Sequence, residues 1–230
     1  MKKYIPNFIT SLNLVSGFTA IILASGGDIL SASWFITAAM FFDFFDGLSA
    51  RVLKAYSDIG KELDSLADLV SFGVAPAIIM YQLMLKTGEF PQSFIIILIV
   101  SIMPVCAALR LAIFNLDSSQ TTNFKGLTTT SNAIAIITIV FASQFSDSET
   151  IKLFISNPVF LIALTIALSL LMVSRLDLFS LKITNLKLKG NESRYLMIGL
   201  MIIVFAVMGV AGLALIIPVY IIASLASHWF

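Results

Sequence analysis

Two residue types that build many active sites are almost missing from this chain. Cys106 is its one cysteine and His228 its one histidine. A lone cysteine excludes an internal disulfide framework and a cluster of thiolate metal ligands. A lone histidine leaves little from which to build a histidine-ligated zinc site or a Ser-His-Asp triad. Charge is scarce too: 12% of the 230 residues are charged, against roughly 25% in a soluble domain. The net charge of +1 is small, and no nucleic-acid partner is expected. The first apolar run leads into polar residues without a small-residue cleavage pattern, so no cleavable signal peptide is expected.

What fills the chain instead is apolar, 59% of all residues. The apolar residues sit in blocks near 8–26, 29–48, 62–85, 93–114, 129–146 and 158–174, most approaching the roughly 20 residues that cross a hydrocarbon core. A last stretch, 195–227, is long for one span and short for two. Gly209, Gly212 and Pro218 point to a bend there, so it reads as a hairpin of two shorter helices, with one tilted helix as the alternative. The expected fold is all-α: a polytopic membrane helical bundle of six core transmembrane helices plus a C-terminal hairpin, forming one domain over 1–230. Cations orient it. Lys2, Lys3, Arg51, Lys54, Lys61, Arg110, Lys125, Arg175, Lys182, Lys187, Lys189 and Arg194 fall on one side of this layout, and only Lys86 and Lys152 on the other. Positive charge collects in cytoplasmic loops, which puts the N-terminus and the connections near 49–61, 115–128 and 175–194 in the cytoplasm.

The acids gather on that same side. Asp43 and Asp46 lie three residues apart and Asp64 and Asp68 four apart, spacings that put each pair on one helix face. Four carboxylates converging at the membrane edge repel one another and resist desolvation. Salt bridges to Arg51, Lys54 and Lys61 could offset this cost. So could divalent cations, and oxygen-only ligands suit Mg²⁺ or Mn²⁺. Two ions about 4 Å apart would also organise a phosphoryl centre. Gly47, Ala50 and Gly60 keep the neighbouring surface small, which lets a ligand approach the backbone. Arg51 can meet phosphate oxygens with two parallel donors. The residues by themselves read as metal-dependent phosphoryl chemistry at a membrane surface.

Asp43, Asp46, Gly47, Ala50, Arg51, Gly60, Asp64 and Asp68 match, without gap or substitution, the pattern D-x2-D-G-x2-A-R-x8-G-x3-D-x3-D. In this the chain resembles the CDP-alcohol phosphotransferases, membrane enzymes that cleave a CDP-lipid, release CMP and join the phosphatidyl group to an alcohol. The resemblance implies that Asp43, Asp46 and Asp64 hold metal. It implies that Asp68 shares in ligation or takes the hydroxyl proton, and that Gly47, Ala50, Arg51 and Gly60 line the CDP-lipid site. It also implies a homodimer. Two further runs, DSLADLVSFGVAPA (64–77) and IPNFITSLNLVSGF (5–18, with Thr10, Asn13 and Gly17), are similar to the phosphatidylserine synthase branch of bacteria and archaea. That narrower resemblance covers most of residues 4–133. It implies CDP-diacylglycerol and L-serine as substrates and a prokaryotic inner membrane as the location. Thr10 and Asn13 could equally be making ordinary helix–helix hydrogen bonds.

Two departures concern the acceptor. Ile113 stands where the branch usually has a basic residue, and Thr128 and Thr130 replace the two prolines of a GLPxPxNA-like segment. Arg110, Asn115 and Lys125 are the polar candidates for an acceptor pocket, and a plain basic membrane boundary is the alternative. Glycerol 3-phosphate or an inositol phosphate would be a rival acceptor, although a phosphorylated alcohol would want the cation that Ile113 replaces. A cation transporter lined by the acids is the rival of another class, and it has no use for Gly47 and Arg51. Direct attack by the alcohol is favoured, since the acids are taken up by metal and base roles.

Overall fold

Small residues let the first two helices touch along their length. Helix α1 (Tyr4–Ser25) and helix α2 (Ile29–Leu53) meet through Ala20, Ala24, Ala32 and Ala39, none of which keeps any exposed surface. Without a hydrophobic drive between helices in lipid, close approach over small side chains is what holds a bundle together. Asp28 caps α2, its Oδ1 accepting from Ser31 N at 3.0 Å. The chain is described here by a computed structural model that covers residues 4–89, 94–116, 123–179 and 191–226.

Lys54, in the left-handed region at φ 51°, ends α2. A short turn then leads to α3 (Asp58–Asp68), capped by Ser57, whose hydroxyl accepts from Gly60 N at 3.0 Å. Helix α3 continues without a break through a π-helical turn, Leu69–Val74, into α4 (Ala75–Lys86). Helix α5 (Phe94–Leu116) carries Pro104 within it. It packs closely on the π turn: a Cβ added at Gly73 would lie 2.9 Å from Ala107 Cβ. There follow α6 (Thr129–Phe145), the short α7 (Glu149–Ile155), α8 (Pro158–Val173), α9 (Glu192–Met208) and α10 (Ile216–Ala226). Two three-residue strands, β1 (Asn123–Lys125) and β2 (Asp177–Phe179), pair antiparallel between the α5–α6 and α8–α9 connections.

Five segments are long and apolar enough to cross a membrane: Tyr4–Ser25, Ile29–Leu53, Asp58–Lys86, Phe94–Leu116 and Glu192–Ala226. The α7–α8 pair, bent by 77°, would make a sixth. This is a polytopic helical membrane protein. Helix α6 has 17 residues, about 25 Å at 1.5 Å per residue. The segment Glu192–Ala226 is not straight. Gly209 has φ 55°, and a Cβ at Gly212 would lie 2.8 Å from Val204 Cγ1, eight residues back. Arg194 at the start of α9 lies 5.8 Å from the Phe179 ring, and Tyr220 on α10 donates to Phe179 O at 2.9 Å. Both limbs therefore meet one residue, and the chain doubles back; residue 227 lies outside the described residues. Lys2, Lys3, Lys182, Lys187, Lys189 and His228 lie outside them as well.

Candidate active site

The α2–α3 turn folds the two acidic pairs towards each other. One oxygen from each of Asp43, Asp64 and Asp68 falls within a mutual distance of 4.8 Å. Asp46, only 6% exposed, stands next to this trio rather than in it. Two buried carboxylate oxygens, Asp46 Oδ2 and Asp64 Oδ1, have no hydrogen-bond partner. Among the described residues none of the four acids forms an ion pair. The neighbouring cations do not pair with them: Lys61 Nζ donates to Asn115 O at 3.0 Å, and Arg51 is exposed. Buried anionic oxygens with neither donor nor counter-ion need one. An all-oxygen set this close suits a hard divalent cation.

A cavity of about 210 Å³ opens beside the acids. Asp46, Gly47 and Ala50 from α2 line it, as do Gly60 and Asp64 from α3 and Asn7 and Thr10 from α1. Its two glycines serve different ends. A Cβ at Gly60 would lie 3.0 Å from Asn7 Oδ1 and from Ser57 Oγ, so the helix crossing itself calls for a small residue there. A Cβ at Gly47 would meet only Arg51 Nη2, at 3.9 Å, so no packing demands glycine at that position. Its bareness serves the cavity. Tyr56 and Lys61 complete the mouth. Of this lining, Asn7 and Tyr56 are not distinguished by the sequence: Asn7 lies outside the acidic motif and Tyr56 at one of its unspecified positions, and only the fold brings them to the cavity.

Helix α1 also reaches the acids. Asn13, fully buried, donates from Nδ2 to Asp68 Oδ1 at 3.3 Å, so its hydrogen bond is made to the candidate site itself. The Thr10 hydroxyl donates to Pro6 O within its own helix, at 3.0 Å, and also lies against the Asp46 carboxylate. Ser71 Oγ donates to Asn13 O at 3.1 Å. That contact needs Gly17, since a Cβ there would lie 2.7 Å from Ser71 Cα.

A second cavity, of about 350 Å³, lies between the end of α5, the β1–α6 connection and the end of α8, with Arg110, Lys125 and Arg175 in its wall. Arg110 is 8% exposed, lies 5.3 Å from the Phe114 ring and is within electrostatic reach of Asp68. Asn115, the third residue expected here, is not in this wall. Its Nδ2 donates to Ser65 Oγ at 2.8 Å and ties α5 to α3. Arg175 takes its place as a third polar group, and sequence reading had counted it only among loop cations. The two short strands and Gly126 bring these parts together. Gly126 has φ 75° and donates its N–H to Leu176 O at 2.8 Å, and a Cβ there would sit 2.6 Å from Met172 O. Thr128 accepts from Ser131 N at 3.0 Å and so caps α6, a role for which no proline is needed.

The family model for CDP-alcohol phosphatidyltransferase matches residues 3–173. The chain belongs to this family. Among relatives, a CDP-diacylglycerol–serine O-phosphatidyltransferase of Bacillus subtilis is 39% identical over 76% of this chain and 89% of its own length. The archaetidylserine synthase of Methanothermobacter thermautotrophicus is 31% identical over 69% and 67%. A CDP-diacylglycerol–serine O-phosphatidyltransferase of Helicobacter pylori is 28% identical over 98% and 91%, a match that takes in the C-terminal hairpin. As a CDP-alcohol phosphatidyltransferase the chain is a transferase. The match reaches past residue 133, where the sequence resemblance stopped, to the end of α8. It thereby includes the helix that leads into Arg175.

Proposed function

We propose that this phosphatidyltransferase moves the phosphatidyl group of CDP-diacylglycerol onto the hydroxyl of L-serine, giving phosphatidylserine and CMP. The observation that carries the chemistry is the trio Asp43, Asp64 and Asp68 beside a cavity walled by Gly47, Ala50 and Gly60. The names of the relatives support serine as the acceptor.

The nucleotide end of the donor occupies the small-residue cavity, with Arg51 at its edge facing phosphate oxygens, while the acyl chains stay in the lipid. Two Mg²⁺ or Mn²⁺ ions held by Asp43, Asp46, Asp64 and Asp68 would supply Lewis-acid stabilisation of the pyrophosphate charge. Asp68 takes the serine hydroxyl proton, one of its oxygens being fixed by Asn13. The serine oxygen bonds to the phosphatidyl phosphorus as the bond from that phosphorus to the CMP oxygen breaks, and CMP leaves with the electron pair. Arg110, Lys125 and Arg175 hold the serine carboxylate in the second cavity, as charge-assisted donors suit it. A phosphorylated alcohol is the second reading, since three cations would receive a phosphate as readily.

The site faces the cytoplasm of a prokaryotic cell membrane, because the positive-inside rule puts the Arg51, Lys125 and Arg175 end there. A homodimer is the assembly the family resemblance implies. The test is CMP release in detergent micelles. Release from CDP-diacylglycerol should require serine and a divalent cation and should equal the lipid formed. Full activity after exhaustive chelation would contradict the metal role.

A further inference from the structure

Helix α3–α4 must pass a proline two turns beyond Asp68. Pro76 has no N–H, and in an α-helix its ring would crowd the carbonyl four residues back, that of Phe72. The chain answers with the π turn Leu69–Val74, in which Ala75 N reaches back five residues to Val70 O. Such turns are rare and cluster at functional sites. The Phe72 carbonyl, denied the usual donor at position 76, accepts instead from Asn132 Nδ2 of α6 at 3.1 Å. Asn132 has no exposed surface. The opposite face of the turn is held by Ser71, bonded to Asn13 O, and Asn13 is the residue bonded to Asp68.

We propose that Asn132 is a positioning residue for Asp68: by replacing the donor that Pro76 lacks, it fixes the π turn that sets the direction of the Asp68 carboxylate. Without that bond the buried Phe72 carbonyl loses its side-chain donor, and the helix can respond by shifting register just beyond Asp68. Asn132 also lies in the first turn of α6, whose cap, Thr128, follows Gly126 and Lys125. The positioning role of Asn132 rests on the proposed role of Asp68.

The test is a double-mutant cycle on the full-length protein in detergent, using Asn132→Ala, Pro76→Ala and their combination. Pro76→Ala returns a backbone N–H to the position that can serve Phe72. In the Pro76 background, Asn132→Ala should lower kcat by about 10²-fold, the scale of a misplaced reacting group. KM for CDP-diacylglycerol should hold, because its cavity lies before the π turn. In the Pro76→Ala background the same substitution should cost far less. Equal losses in the two backgrounds would overturn the proposal, since they would make Asn132 a packing residue only. Should Asn132→Ala not yield a monodisperse protein, Asn132→Ser carries the same cycle with a hydroxyl in place of the amide. An Asp68→Asn control separates the two claims. If that control is fully active, the role of Asp68 fails; if it is inactive while the cycle is multiplicative, only the inference about Asn132 fails.

Discussion

The acid cavity and the cationic cavity sit at one end of the same bundle, and they are assembled in different ways. The acids come from a single helix–turn–helix, α2 and α3, where a left-handed Lys54 and the Ser57 cap bring Asp43 against Asp64 and Asp68. The cations come from three separate stretches, α5, β1 and the end of α8, which meet only because β1 pairs with β2 and Gly126 lies against the end of α8. Local helix geometry therefore sets the acid cavity, and tertiary assembly sets the cationic one. Under the roles proposed for them, the acceptor side can vary without disturbing the phosphoryl chemistry.

Removing an acid should have the largest effect. Asp64→Asn deletes an anionic ligand whose Oδ1 is buried without a partner, and it should abolish both turnover and Mg²⁺ binding by calorimetry. Asp68→Asn should lower kcat by about 10²–10⁴-fold, the usual loss for a positioned base, and leave calorimetric Mg²⁺ binding measurable. Equal loss of metal in the two variants would make Asp68 a ligand like its neighbour.

The difference between the cavities is also a difference in what a sequence can display. The convergence of Asp43, Asp64 and Asp68 could be read in advance because the spacing within each acidic pair is a helical one and the turn between the pairs is short. Thr10 and Asn13 could be noticed but not separated. Only the packing shows that Asn13 turns to Asp68 while Thr10 bonds to its own helix beside Asp46. Arg175 was hidden because nothing local distinguishes a cavity cation from an interfacial one, and nothing local shows that Asn115 bonds across to Ser65. The π turn left a trace in Pro76, but the response of the chain depended on Asn132, which is 56 residues further on.

A milder effect is expected on the cationic side. Arg175→Ala should raise KM for serine about tenfold, within the range for one charged hydrogen bond, while KM for CDP-diacylglycerol stays unchanged. A shift in both constants would mean that the two cavities are not independent. The smallest effect belongs to the far end of the bundle, at Asp28. Hydrogen bonds from Ser31, the backbone N–H above all, hold its exposed carboxyl below the ordinary 3.8. A folded pKa below the unfolded one stabilises fully above the unfolded value and is lost as pH falls through the folded one. Asp28→Ala should thus lower Tm slightly at pH 7, and the gap should close as the pH falls below 3.8. Catalysis should not change, as this end takes no part in either cavity.

Acceptor choice tests the central claim most directly. Purified protein in mixed micelles with CDP-diacylglycerol and Mg²⁺ would be given serine and glycerol 3-phosphate at equal concentration, and the lipid product identified by mass spectrometry. The account predicts phosphatidylserine, with one CMP released per lipid formed. Phosphatidylglycerol phosphate as the main product would contradict it, and would mean that Arg110, Lys125 and Arg175 hold a phosphate rather than a carboxylate.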